Sequence, residues 1–88
     1  MKLVILYRPN SEHSTLIESF SERLLNAMPE ASVENVDIDS QEGVSLLEAY
    51  GIVQFPALLV LAENGLLINS WLGDLLPPLE LVIDNLRK

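Results

Sequence analysis

Two uninterrupted apolar segments constrain the fold of this chain of 88 residues more than any other feature. Residues 3–7 and 57–62 contain no charged side chain and no polar group except the hydroxyl of Tyr7. Short runs rich in leucine, isoleucine and valine are typical of strands that are covered on both faces. Both runs are far too short to cross a bilayer. The sequence therefore predicts a small sheet with helices on both of its faces.

Three segments have the spacing of amphipathic helices. The first covers residues 14–28. The second begins with Asp39 as its predicted N-cap and ends at Gly51, and the third covers residues 77–86 and opens on two prolines. The apolar sides are predicted at Leu16, Ile17, Phe20, Leu24 and Met28, at Val44, Leu47 and Tyr50, and at Leu79, Val82, Ile83 and Leu86.

Two further strands complete the predicted order. One covers residues 33–38, and the other covers residues 66–72 after the pair Asn64-Gly65, which is typical of a tight hairpin turn. The order is then β-α-β-α-β-β-α over one domain, residues 1–88. A strand-helix-strand crossover makes its strands parallel, whereas a hairpin makes them antiparallel. The predicted fold class is α/β with a mixed four-stranded sheet.

The balance of charges excludes several kinds of partner. Thirteen aspartates and glutamates against five lysines and arginines give a net charge of −8 at pH 7. Such a chain repels phosphate backbones and anionic lipid surfaces, so we expect neither a nucleic-acid nor a membrane partner. The N-terminal residues lead directly into the first strand and lack the pattern of a signal peptide. We expect a monomeric, cytoplasmic protein.

The chain contains no cysteine and one histidine, His13. Disulfides, thiolate metal sites and cysteine nucleophiles are therefore excluded. Zinc sites are built mainly from cysteine and histidine ligands, and this chain has one histidine and no cysteine. We therefore expect no metal and no cofactor.

A segment around Phe55-Pro56 resembles part of the thioredoxin family. Residues 50–60 are similar to that family's helix end, connector and cis-proline strand, and Asn64-Gly65 falls where the family has its hairpin. The resemblance extends to residues 36–39 and to Gly73 after the last strand, so it covers nearly the whole chain. It implies a thioredoxin-like fold, closest to the minimal glutaredoxin-like members, with a cis Phe55–Pro56 bond.

The resemblance fails where active family members have their cysteines. The turn before the first helix is Arg8–Ser14, and Ser11 and Ser14 occupy the two cysteine positions. A serine hydroxyl has neither the acidity nor the redox couple of a thiol. The sequence therefore predicts a redox-inactive member of this fold.

Ser11, His13 and Ser14 also suggest a serine hydrolase. A nucleophilic serine needs a base within hydrogen-bond reach and an acid that orients the base. Residues one or two positions apart do not face each other on a helix, and no nearby acid completes the set. We therefore expect the serines to cap the first helix and His13 to be a solvated residue of its first turn.

The resemblance implies a groove formed by residues 8–14, Phe55-Pro56 and Gly73-Asp74. In the family, the residue before the proline exposes backbone groups that pair with an extended peptide, so we predict a non-catalytic peptide-binding or scaffolding module here. Arg8-Pro9 and Gly73-Asp74 are also similar to the segments with which glutaredoxins hold glutathione. Glutathione binding without thiol exchange, and a chain engineered on this fold with no natural ligand, therefore stay open. The predicted binding residues are Arg8, Ser11, His13, Ser14, Phe55, Pro56, Gly73 and Asp74.

Overall fold

A computed structural model describes residues 1–88 and contains the seven predicted elements in the predicted order. None of its helices is long and apolar enough to cross a membrane. The elements are β1 (Lys2–Tyr7), α1 (Ser14–Ala27), β2 (Val33–Asp37), α2 (Gln41–Tyr50), β3 (Ala57–Leu61), β4 (Leu67–Leu72) and α3 (Leu79–Leu86).

The four strands form one mixed sheet in the order β2-β1-β3-β4. β1 runs parallel to β2 and antiparallel to β3, and β3 pairs with β4 through an antiparallel hairpin. The two apolar runs thus form the two central strands, which explains why they lack the polar alternation of a half-exposed strand. The predicted mixed sheet is confirmed.

Alternate residues of the central strands build a core on each face of the sheet. Leu3 and Ile5 of β1 point to the face that α1 and α3 cover, whereas Val4 and Leu6 point to the face of α2. All four side chains are fully or almost fully buried. Helices therefore cover both faces, as the sequence predicts.

The N-terminus of α2 differs from the prediction. Its N-cap is Ser40, whose Oγ accepts a hydrogen bond of 3.0 Å from the backbone N–H of Gly43. The backbone N–H of Asp39 donates to Oδ1 of Asp37 over 2.8 Å, so Asp39 belongs to the preceding turn. The C-terminus is as predicted, because Gly51 ends the helix at a φ of 65°, which favours glycine.

The buried side of α2 also differs from the prediction. Val44, placed on the apolar side from the sequence, has a side chain that is 44% exposed. Gly43 is the buried residue of this helix. Leu46, Leu47 and Tyr50 pack against the core on the face of the sheet that α2 covers, which we call the second core. The side of α2 that faces the sheet therefore includes Gly43 in place of Val44. Hydropathy does not predict a glycine as a core position.

Candidate functional site

A groove lies at the end of the sheet where β1 ends and β3 begins. Its volume is about 240 Å³. It brings together the turn before α1 and the Phe55-Pro56 segment, as predicted, whereas the third predicted segment, Gly73-Asp74, does not line it. Its lining residues are Tyr7, Arg8, Ser11, Glu12, His13, Ile38, Phe55 and Pro56.

The two serines at the predicted cysteine positions close the turn before α1. The Ser11 hydroxyl donates to the carbonyl oxygen of Arg8 and accepts from the backbone N–H of His13 at 3.2 Å. The Ser14 hydroxyl donates to the carbonyl oxygen of Ser11 over 2.9 Å, and Ser14 does not line the groove. Neither serine is the N-cap residue, because that position belongs to His13, which forms no side-chain cap bond. Both hydroxyls are therefore held by backbone groups.

His13 is not the solvated residue that the sequence suggests. Its side chain is 27% exposed, and Nε2 lies 3.0 Å from Oδ1 of Asp74. This contact joins the start of α1 to the loop after β4, a proximity that only the tertiary structure creates. Asp74 itself is 79% exposed, so the pair lies at the rim of the groove.

The acid that the hydrolase hypothesis lacked is thus present, but the three groups do not form a catalytic triad. A triad needs the serine hydroxyl on one imidazole nitrogen and the acid on the other. Asp74 occupies Nε2 of His13, whereas the nearby Ser11 hydroxyl bonds only to backbone atoms. The geometry does not support activation of either serine.

Arg8 forms an ion pair across the turn. Its Nε lies 3.1 Å from Oδ2 of Asp39, and both side chains are largely exposed. The glutaredoxin resemblance implies that Arg8 holds a carboxylate of glutathione. In the structure, Arg8 is instead paired with Asp39, the residue expected to cap α2.

Phe55 and Pro56 form the wall of the groove on the β3 side. The peptide bond between them is cis. The carbonyl oxygen of Pro56 accepts from the backbone N–H of Gly73 at 3.0 Å, which fixes Gly73 behind this wall. None of the backbone hydrogen bonds formed outside the helices and strands involves Phe55. Its side chain is half-buried and packs against the second core.

Two residues line the groove from outside the predicted segments, Tyr7 and Ile38. Glu12 lies within the predicted turn 8–14 but was not among the predicted binding residues. Tyr7 ends a buried strand, and burial is the main cause that raises the pKa of its hydroxyl. The negative charges of Glu18 and Asp37 raise this pKa further. In the sequence, Tyr7 has the pattern of an ordinary core residue. No sequence feature therefore marks it as a residue that also lines a groove.

A larger cavity of about 570 Å³ lies at the opposite end of the sheet, beside Lys2, Tyr50 and Glu63. It contains none of the predicted site residues. No group of three histidine, aspartate or glutamate side chains is arranged to hold a metal ion. The groove beside Phe55 is the site at which the sequence features and the geometry coincide.

No protein-family model matches the sequence, and a comparison with curated proteins finds no match either. Solved structures do match. Thioredoxin O2 from Arabidopsis thaliana in its oxidised state is 20% identical with a TM-score of 0.77, and the match covers 99% of this chain and 75% of that chain. Oxidised thioredoxin from Plasmodium falciparum is 24% identical with a TM-score of 0.70, covering 94% and 79%. A designed protein is 17% identical with a TM-score of 0.68, covering 98% and 72%.

These likenesses show the fold. The chain has the thioredoxin-like fold that the sequence predicts, with the mixed sheet and three helices described above. Because it contains no cysteine, it has no thiol with which to exchange a disulfide.

Proposed function

We propose that this cysteine-free thioredoxin-like domain is a non-catalytic binding module that docks an extended peptide in the groove beside Phe55. The main support is the unpaired backbone of Phe55 next to an apolar wall. An extended peptide that lies along such a segment gains main-chain hydrogen bonds from the backbone and packs its side chains against the wall.

The composition of the groove suits this role. Half-buried Phe55 supplies the accessible apolar surface, with the almost fully buried Pro56 and Ile38 beside it. Ser11 and Arg8 are already hydrogen-bonded or ion-paired within the protein. A site that holds few free reactive groups favours binding over chemistry. The backbone of Phe55 then supplies the polar groups that orient a ligand.

Glutathione binding is the alternative that the same groove allows, because Arg8 and Asp74 both lie at its rim. The Nε of Arg8 is paired with Asp39, so a glutathione carboxylate would compete with that aspartate. We therefore place peptide docking first.

The test is an NMR titration of the ¹⁵N-labelled protein. The probe is a capped seven-residue peptide with leucine and valine at its centre and uncharged polar residues on both sides. We expect the amides of Ser11, Phe55 and Gly73 to shift at peptide concentrations up to roughly 5 mM, above the Kd of a weak contact. Glutathione is titrated in parallel, and shifts near Arg8 with glutathione alone would favour the alternative.

A matched pair of variants separates the groove from the general core. Phe55→Ala and Tyr50→Ala each remove a half-buried aromatic ring that packs against the second core, at opposite ends of the sheet. We expect Phe55→Ala to weaken peptide binding and Tyr50→Ala to leave it unchanged, provided that both spectra stay dispersed. Equal losses, or no groove shifts in the wild type, would contradict the proposal.

A further inference from the structure

Four of the five lysines and arginines do not line the groove. Lys2 begins β1 and lines the cavity at the opposite end of the sheet, and Lys88 lies at that end beside Met1. Arg87 precedes Lys88 in the chain, and Arg23 lies along α1 with its guanidinium 5.9 Å from the ring centre of Phe20. Arg8 is the one lysine or arginine that lines the groove.

The surroundings of the groove are, in contrast, rich in carboxylates. Glu12 lines the groove and forms no ion pair. Asp39 pairs with Arg8 and cancels its charge, and Asp74 lies on His13 while staying largely exposed. The rim therefore has an excess of negative charge even when the imidazole is protonated.

Two further carboxylates act on the residue at the floor of the groove. Tyr7 lines the groove, and the carboxylates of Glu18 and Asp37 act with burial to raise the pKa of its hydroxyl. A clefted site with walls of low dielectric concentrates such a field and attracts ligands of the opposite sign.

We infer that the groove selects a cationic extended segment, in which lysine or arginine side chains flank an apolar residue. This inference rests on the proposed peptide docking and adds the charge of the ligand. The apolar residue lies against Phe55, and the flanking cations lie over Glu12 and Asp74. The same field disfavours glutathione, which has a net negative charge at neutral pH.

Three capped peptides of equal length test the inference. Each has leucine and valine at its centre, and the flanking positions hold three lysines, three glutamines or three glutamates. We expect the lysine peptide to bind roughly tenfold more tightly than the glutamine peptide at low salt, and the glutamate peptide to bind most weakly. The preference should shrink as salt rises from about 0.02 M to 0.5 M, because the Debye length falls.

Two double variants with the same change in net charge localise the effect. Glu12→Gln with Asp74→Asn removes two rim carboxylates, whereas Glu30→Gln with Glu63→Gln removes two exposed carboxylates outside the groove. We expect only the first double variant to lose most of the lysine preference. An equal loss in both would show attraction by net charge alone and overturn the inference.

The peptides also distinguish failure of the inference from failure of the proposed function. If all three peptides bind the groove with equal affinity, docking stands and the charge preference is wrong. If the lysine peptide shifts amides away from the groove, the preference belongs to another surface and the inference is wrong. If no peptide shifts the groove amides, the proposed function itself fails.

Discussion

The Nε2 atom of His13 lies 3.0 Å from a carboxylate oxygen of Asp74, and this contact joins the first turn of α1 to the loop that follows β4. The two segments are remote in the chain but adjacent at the rim of the groove. The pair therefore lies along one side of the candidate site, with Asp74 mostly exposed.

Asp74→Asn should change stability little. A carboxylate contact at a mostly exposed site contributes about 0–1 kcal/mol to the free energy of unfolding, so we expect a loss below ~1 kcal/mol in urea titrations. Asp84→Asn, which changes an exposed carboxylate on α3 with no ion pair, serves as the control. A loss above ~2 kcal/mol for Asp74→Asn alone would show that the contact holds the loop in place.

Gly43→Ala should destabilise the protein, although the same change stabilises most exposed helix positions. A Cβ atom at residue 43 would lie 2.1 Å from the carbonyl oxygen of Asp37 and 2.9 Å from the Cα atom of Ile38. Both neighbours are backbone atoms, so α2 would have to move away from the end of β2. We expect a loss of about 1–3 kcal/mol in the free energy of unfolding, the range for overpacked sites.

Ser45→Ala, at an exposed position of the same helix, is the matched control for Gly43→Ala. It should be neutral or stabilising by roughly 0.5 kcal/mol, because alanine has the better helix propensity. If Gly43→Ala also stabilises the protein in urea denaturation, the close approach of α2 to β2 is wrong.

Tyr7 should make stability depend on pH in the alkaline range. Burial, and then the charges of Glu18 and Asp37, raise the pKa of its hydroxyl in the folded protein, whereas unfolded tyrosine titrates near pH ~10. The folded state therefore holds this proton more strongly. The stabilisation is complete below pH ~10 and is lost as pH rises through the folded pKa.

The comparison with Tyr7→Phe isolates this effect. The difference in the free energy of unfolding between wild type and variant should be constant from about pH 7 to 9 and should shift against the wild type above pH ~10. Urea titrations at each pH measure it. A difference that stays constant up to pH ~11 would contradict the raised pKa.

The wild type should have no disulfide reductase activity, and two cysteines should restore part of it. Ser11 and Ser14 lie one turn apart, with the N–H of Ser14 bonded to the carbonyl oxygen of Ser11 over 3.2 Å. Ser11→Cys with Ser14→Cys should form an internal disulfide and show weak reductase activity at the start of α1, where thiol pKa values fall. Loss of the serine hydrogen bonds should cost about 1 kcal/mol each.

Mass spectrometry and a reductase assay measure the two outcomes. Each single cysteine variant is the control, because it can form only intermolecular disulfides. If the double variant also pairs only between molecules, Ser11 and Ser14 do not correspond to the cysteine positions of active thioredoxins.

The element order, the mixed sheet and the absence of thiol chemistry could all be predicted from the sequence, because each follows from a local property. Apolar runs at residues 3–7 and 57–62 identify the central strands, Asn64-Gly65 identifies the hairpin, and a missing residue type cannot be supplied by folding. The predicted segments at Ser11 and Phe55 also meet at one groove, since the fold places both at the same end of the sheet.

Only the tertiary structure decided which polar side chains contact each other and which residue caps α2. Asp39 pairs with Arg8 while Ser40 caps α2. Aspartate and serine are nearly equal as N-caps, so their surroundings and not their residue types decide between them. Asp74 meets His13 because β4 ends beside the start of α1, and no periodicity in the chain encodes that distance. Local pattern thus determines which segments are buried, whereas contacts between polar side chains depend on how those segments are brought together in space.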